Sequence, residues 1–157
     1  WLETQNKDLQ EDGKNCGKQI EKLIKERILR KLEDLYGDLW EHKVNKVKGN
    51  CFQRMDSNGD GDSFDWTEYM DLKDYKEIID NNWSVKKDGD DAFTTFEDEF
   101  SIKVTDSFRT KTDKLKWIND LILYSKAWTT TRGRALSLAE VNEMQLILQS
   151  LIPTEEE

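Results

Sequence analysis

Apolar residues recur at helical spacing through most of the chain. Cys16, Ile20, Leu23, Ile24, Ile28, Leu32, Leu35 and Leu39 stand three or four apart, which puts them on one face of a helix. Lys and Glu fill the opposite face. Gly37 interrupts the stripe, which resumes as Trp40, Val44, Val47, Cys51 and Met55, with Phe52 beside it. This predicts a helix ending near Met55. After a polar gap, Trp66, Tyr69, Met70, Tyr75, Ile78 and Ile79 predict a helix leaving the gap and a second one approaching Trp83. Phe96, Phe100, Val104 and Phe108 recur every four residues and predict another. Leu115, Ile118, Leu121, Ile122 and Trp128 form a further stripe. The last runs through Val141, Met144, Ile147 or Leu148, and Leu151, with Ser137 as N-cap and Pro153 as stop. The fold expected is all-α. Residues 1–14 lack an apolar period and are expected as a mobile arm, with Trp1 and Leu2 able to dock. Residues 15–152 are expected as one helical domain and residues 153–157 as an acidic tail.

The polar gap carries the chemistry. Oxygen-bearing side chains stand at every second residue, Asp56, Asn58, Asp60 and Asp62, and Gly61 follows the third of them. A hard cation such as Ca²⁺ takes about 6–8 oxygens. Alternate residues of a tight loop supply several of them, and glycine accepts the sharp turn. Glu68 can close the site with both carboxylate oxygens. This is the EF-hand pattern, D-x-[DN]-x-[DN]-G followed by a distal Glu, with one departure. The usual closing position is Thr67, and Glu68 lies one residue beyond it. Phe64 keeps the usual spacing to Glu68, so one residue is inserted around Asp62-Ser63. The expected metal ligands are Asp56, Asn58, Asp60, Asp62 and Glu68, and the expected ion is Ca²⁺. A solvated acidic turn is the alternative reading.

The same spacing returns twice. Phe93 and Glu97 follow the acidic stretch Asp88-Gly89-Asp90-Asp91, but its oxygens are out of register and no Gly follows a third ligand. Leu136 and Glu140 follow Arg132-Gly133-Arg134, where cationic side chains replace carboxylates. The chain therefore reads as one good helix–loop–helix unit and two degenerate ones behind an added N-terminal helix. Short β contacts through Phe64 and Phe93 are expected between loops. No metal is expected in the third loop.

Asp38-Leu39-Trp40, and Phe52 four residues before Asp56, make residues 36–70 resemble the first EF-hand of invertebrate sarcoplasmic calcium-binding proteins. The resemblance implies Asp56, Asn58, Asp60 and Glu68 as ligands, with Asp62 acting through its carbonyl. That family has four hands and a longer chain, against three at most here.

The net charge is −9, with 33 acidic and 24 basic residues. It argues against nucleic acid and anionic membrane as partners and suits a protein that holds cations. No run is apolar enough to span a bilayer. Cys16 and Cys51 would lie about 50 Å apart on one straight helix, so a bridge between them needs a turn near Glu33 to Gly37. Two buried thiols is an equal reading of the spacing, and the oxidised pair is the expected state. The start at Trp1 and two pairable cysteines favour secretion slightly over the cytosol. Asn82-Trp83-Ser84 matches the N-glycosylation pattern. The methionines, Met55, Met70 and Met144, all sit on core stripes, which favours a buffer or structural calcium site over a groove-exposing sensor. Six tryptophans, at 1, 40, 66, 83, 117 and 128, offer an alternative. They could line a cavity for an apolar small molecule, as in luciferin-binding proteins or photoproteins. A homodimer is also compatible with the sequence. No nucleophile motif or phosphate-cradling loop is present, so no enzyme activity is expected.

Overall fold

The computed structural model describes residues 2–57, 65–86, 94–129 and 134–152, with side chains from Asn6 onward. The protein is all-α, and no strand occurs among the described residues. Phe64 and Phe93, where β contacts were expected, lie outside them, as does the tail from Pro153. The elements are α1 (Leu2–Tyr36), a 3₁₀ stretch (Gly37–Val44), α2 (Asn45–Ser57), a 3₁₀ turn (Trp66–Tyr69), α3 (Leu72–Asn81), α4 (Phe96–Phe100), α5 (Lys111–Lys114), α6 (Lys116–Tyr124), α7 (Lys126–Thr129) and α8 (Leu138–Leu151). They form two compact units, Trp1–Ile24 with Ser101–Glu157, and Lys25–Phe100.

The α1 stripe is buried as its spacing requires: Cys16, Ile20, Ile24, Ile28 and Leu32 are all in the core. Burial of each aliphatic side chain contributes about 1.5–3 kcal/mol. The stripe begins earlier than its apolar residues do. The stretch expected as an arm is helical from Leu2, and Gly13 and Gly17 are buried on the same face. These glycines let other elements come close. A methyl at Gly13 would overlap Leu136, and one at Gly17 would overlap the Trp128 ring. Gln10 adds a polar tie. Its amide donates to the Leu136 carbonyl at 2.8 Å and accepts from the Leu136 N–H at 2.6 Å.

Gly37 ends α1 with φ of 63°, a left-handed conformation that suits glycine past a helix end. The expected turn is therefore present. Leu39, expected on the stripe, is 64% exposed beyond it. Phe52 is also turned outward, under the Lys48 ammonium, while Val44, Val47, Cys51 and Met55 hold the core face of this segment.

Three expected helices are cut short. The helix leaving the acidic gap does not start at Glu68. Asp65 accepts from the Thr67 N–H and caps one 3₁₀ turn, Met70 is extended, and α3 restarts behind Asp71. Asp71 and Asp74 make a reciprocal capping box there. α4 ends at Phe100 rather than running on to Phe108. Ser, Thr and Asp side chains over residues 101–110 compete for backbone groups, as when the Thr105 hydroxyl bonds the Ser107 carbonyl. Thr110 then caps α5. Single-residue turns at Leu115 and Ser125 divide α5, α6 and α7.

Both cysteines are free and buried. The turn at Gly37 comes well after Cys16, and Cys51 is engaged elsewhere, beside Arg54 and Asp74. Burial first, then the Asp74 charge, pushes the Cys51 thiol up to about 11, and burial also raises Cys16. Asn82 is likewise committed, which removes it as a glycan acceptor in the folded chain. Its amide donates to the Ile78 carbonyl at 2.8 Å and accepts from the Tyr36 hydroxyl at 2.6 Å.

Two glycines predict opposite outcomes. Gly17→Ala should cost about 1–3 kcal/mol, because the Trp128 ring must shift. Gly49, in α2 with open space around it, should gain about 0.5–1 kcal/mol as Ala. Urea denaturation measures both. Alkylation under native conditions should leave both thiols unmodified, and denaturation without reductant should expose two.

Candidate functional site

The acidic gap lies between α2 and the Trp66–Tyr69 turn, and its two ends are held by side chains rather than by backbone ladders. Arg54, three residues before the end of α2, does most of this. Its Nη1 donates to the Tyr69 carbonyl at 2.7 Å and to Asp74 Oδ2 at 2.5 Å, and its Nη2 reaches Asp71 Oδ2 at 3.8 Å. Asp74 is buried and also accepts from the Asp71 N–H. One guanidinium thus joins the last turn of α2 to the capping box of α3. The Asp74 hydrogen bond, and the charges of Asp74 and Asp71, raise the Arg54 pKa and keep it charged.

Trp66 anchors the far end. It is buried, its Nε1 donates to Glu41 Oε1 at 2.7 Å, and its ring meets Trp40 with centroids 5.9 Å apart. Thr67 is buried behind it. Glu68 points the other way. Its carboxylate is 64% exposed and lies 3.5 Å from the Lys25 ammonium of α1.

Of the five expected ligands, Asp56 stands exposed in the last turn of α2 and Glu68 stands exposed on the 3₁₀ turn. Asn58, Asp60 and Asp62 lie outside the described residues. Among the described residues no group of three or more His, Cys, Asp or Glu side chains gathers to hold a metal. The donor set that sequence spacing requires is therefore described only at its two ends. At those two ends Asp56 is exposed and Glu68 is paired with Lys25.

Residues 87–93 and 130–133 of the other two expected loops lie outside the described residues, and cations of the chain stand beside the residues that follow them. Lys31 of α1 is buried, donates to the Thr94 hydroxyl at 2.7 Å and lies 4.0 Å from Glu99. Burial raises the Glu99 carboxyl, and Lys31 opposes this. At the third, Arg134 pairs with Glu140 at 2.8 Å, while Ser137 and Glu140 form a capping box. Leu136 and Val141 both pack at Gly13, as a hydrophobic staple would. The third Leu136-to-Glu140 repeat is thus a helix start in its own right. Asp71-x-x-Asp74 carried the same capping signal in the sequence. Arg54, Glu41 and Lys25 carried none, since each is a polar residue on a polar helix face.

Among the described residues, Trp117 and Trp128 belong to the first unit and Trp40, Trp66 and Trp83 to the second. Trp117 is completely buried, Trp66 and Trp83 are buried, and Trp40 and Trp128 are half-buried. Comparison of the chain with protein-family models, with curated proteins and with solved structures gives no match.

Arg54→Met should cost about 1.5–3 kcal/mol by leaving Asp74 and the Tyr69 carbonyl short of a charged donor. Asp74→Asn should cost less when added to Arg54→Met than when made alone. Equal costs in the two backgrounds, measured by urea denaturation, would show that the two side chains act independently.

Proposed function

We propose that the protein is a non-catalytic calcium-binding protein, holding one Ca²⁺ in the stretch Asp56–Glu68 as a buffer or structural site. In this reading its helix–loop–helix units are EF-hand units, one able to bind metal and two degenerate. The observation that supports it most is the Arg54 clamp. It ties the Trp66–Tyr69 turn and the start of α3 to α2, so the two flanks of a stretch with ligand spacing are held together by side chains. Closing a loop is entropically costly, and a clamp that is already formed lowers the ordering cost of binding.

Asp56, Asn58, Asp60 and Glu68 would supply side-chain oxygens, and Asp62 its carbonyl. The ion would neutralise carboxylates whose mutual repulsion is about 1 kcal/mol per close pair even in water. Lys25 competes with it for Glu68. That pair is exposed on the Glu68 side, so its contribution is small and sensitive to salt. Because Arg54 and Trp66 hold the ends, the response to Ca²⁺ should be local. Chelation should change Trp66 fluorescence and lower the melting temperature modestly, with helix content unchanged.

Calorimetry tests this. One Ca²⁺ per chain is expected. Glu68→Gln should weaken binding at least about tenfold, since it removes a bidentate anionic ligand. Lys25→Met should tighten it about two- to fivefold, the range of an exposed ion pair. No heat with the wild-type chain would refute the reading. Thr67→Ala weakening binding more than Glu68→Gln would place the closing residue one position earlier.

A further inference from the structure

In the unit formed by Trp1–Ile24 and Ser101–Glu157, α6 and α8 meet through an unusual polar contact. Glu143 of α8 lies beside Asp120 and Tyr124 of α6, and both act on its carboxyl. Its Oε2 is buried and has no hydrogen-bond partner. Asp120 is already bound on its other side, where Lys116 Nζ donates to Oδ2 at 2.6 Å.

Two carboxylates cannot hydrogen-bond each other without a proton between them, and a buried carboxylate oxygen with no donor is costly while charged. Asp120 already has the Lys116 ammonium as its partner, which leaves Glu143, with its undonated Oε2, as the carboxyl that carries the proton. We propose that Glu143 and Asp120 share one proton across α6 and α8, making this helix pair a pH-sensitive latch that loosens above neutrality.

The surroundings agree. Burial, then the hydrogen bond and charge of Asp120, push the Glu143 carboxyl up to about 7, while Tyr124 and Lys116 oppose the shift. Glu140 and Arg134 act on Tyr124, with the Arg134 guanidinium 6.0 Å from its ring centre. α1 meets α8 through Val141 and Met144, which are apolar. An unfolded chain would titrate Glu143 near its ordinary 4.5. The folded state therefore binds the extra proton between about 4.5 and about 7. Its stability falls as pH rises through that window and is lowest above it. Carboxylates that are paired or metal-bound give the opposite slope, so the two contributions are separable by sign.

The test is thermal unfolding of the full chain with chelator present, from pH 5.5 to 8.5. A His42→Gln background removes the one imidazole of the chain. The melting temperature should be about 3–8 °C lower at pH 8 than at pH 6. Glu143→Gln, which cannot ionise yet still donates to Asp120, should abolish that difference. A difference that survives in Glu143→Gln, or none in the parent, overturns the proposal. The Glu143 carboxyl ¹³C shift in the unsubstituted chain gives a second reading. Its midpoint should lie near 7 and fall in Asp120→Asn, and a midpoint near 4.5 overturns the proposal.

Discussion

One buried stripe on α1 is the constraint on which both units depend. Gly13, Cys16, Gly17, Ile20 and Ile24 face the core of the first unit, and Ile28, Lys31 and Leu32 that of the second. The first part works by closeness: two glycines admit Leu136 and the Trp128 ring against the helix backbone. The second part works by charge as well as packing. Lys25 and Lys31 leave the same helix to meet acidic or hydroxyl groups at the ends of the first two acidic loops. A long helix with no proline can do both because its period never breaks before Gly37.

The candidate calcium site is a consequence of local geometry in the second unit alone. Arg54 spans from α2 to the capping box of α3, and Trp66 is pinned by Glu41. These contacts leave the Glu68 carboxylate facing solvent and Lys25 rather than a neighbour in the core. In the first unit the corresponding Glu140 is tied to Arg134 and Ser137. Glu68 and Glu140 thus differ in what holds them: an exposed pairing with Lys25 for the first, and Arg134 with the Ser137 cap for the second.

Much of the fold was legible from spacing. The stripes Cys16–Leu32, Val44–Met55 and Val141–Leu151 are buried as read, because a 3.6-residue period admits only one solvent-free face. The N-terminal stretch was misread because glycine adds nothing to an apolar count, although Gly13 and Gly17 mark the tightest packing. The Phe96–Phe108 stripe failed for the opposite reason. Its apolar period is good, but the helix ends at Phe100, and beyond it the Thr105 hydroxyl bonds the Ser107 carbonyl. At the site, the ligand spacing was visible while the clamp was not. Arg54 acts through residues fifteen to twenty positions away, and no local pattern encodes such a partner.

The central claim is that a cation sits between the end of α2 and the Trp66 turn. Terbium, a luminescent substitute for Ca²⁺, tests it most directly, because an indole close to the bound ion sensitises its emission. The account predicts emission on tryptophan excitation that saturates at one equivalent and is displaced by Ca²⁺. No emission, or emission unchanged when Asp56 and Asp60 are both replaced by Asn, would contradict it.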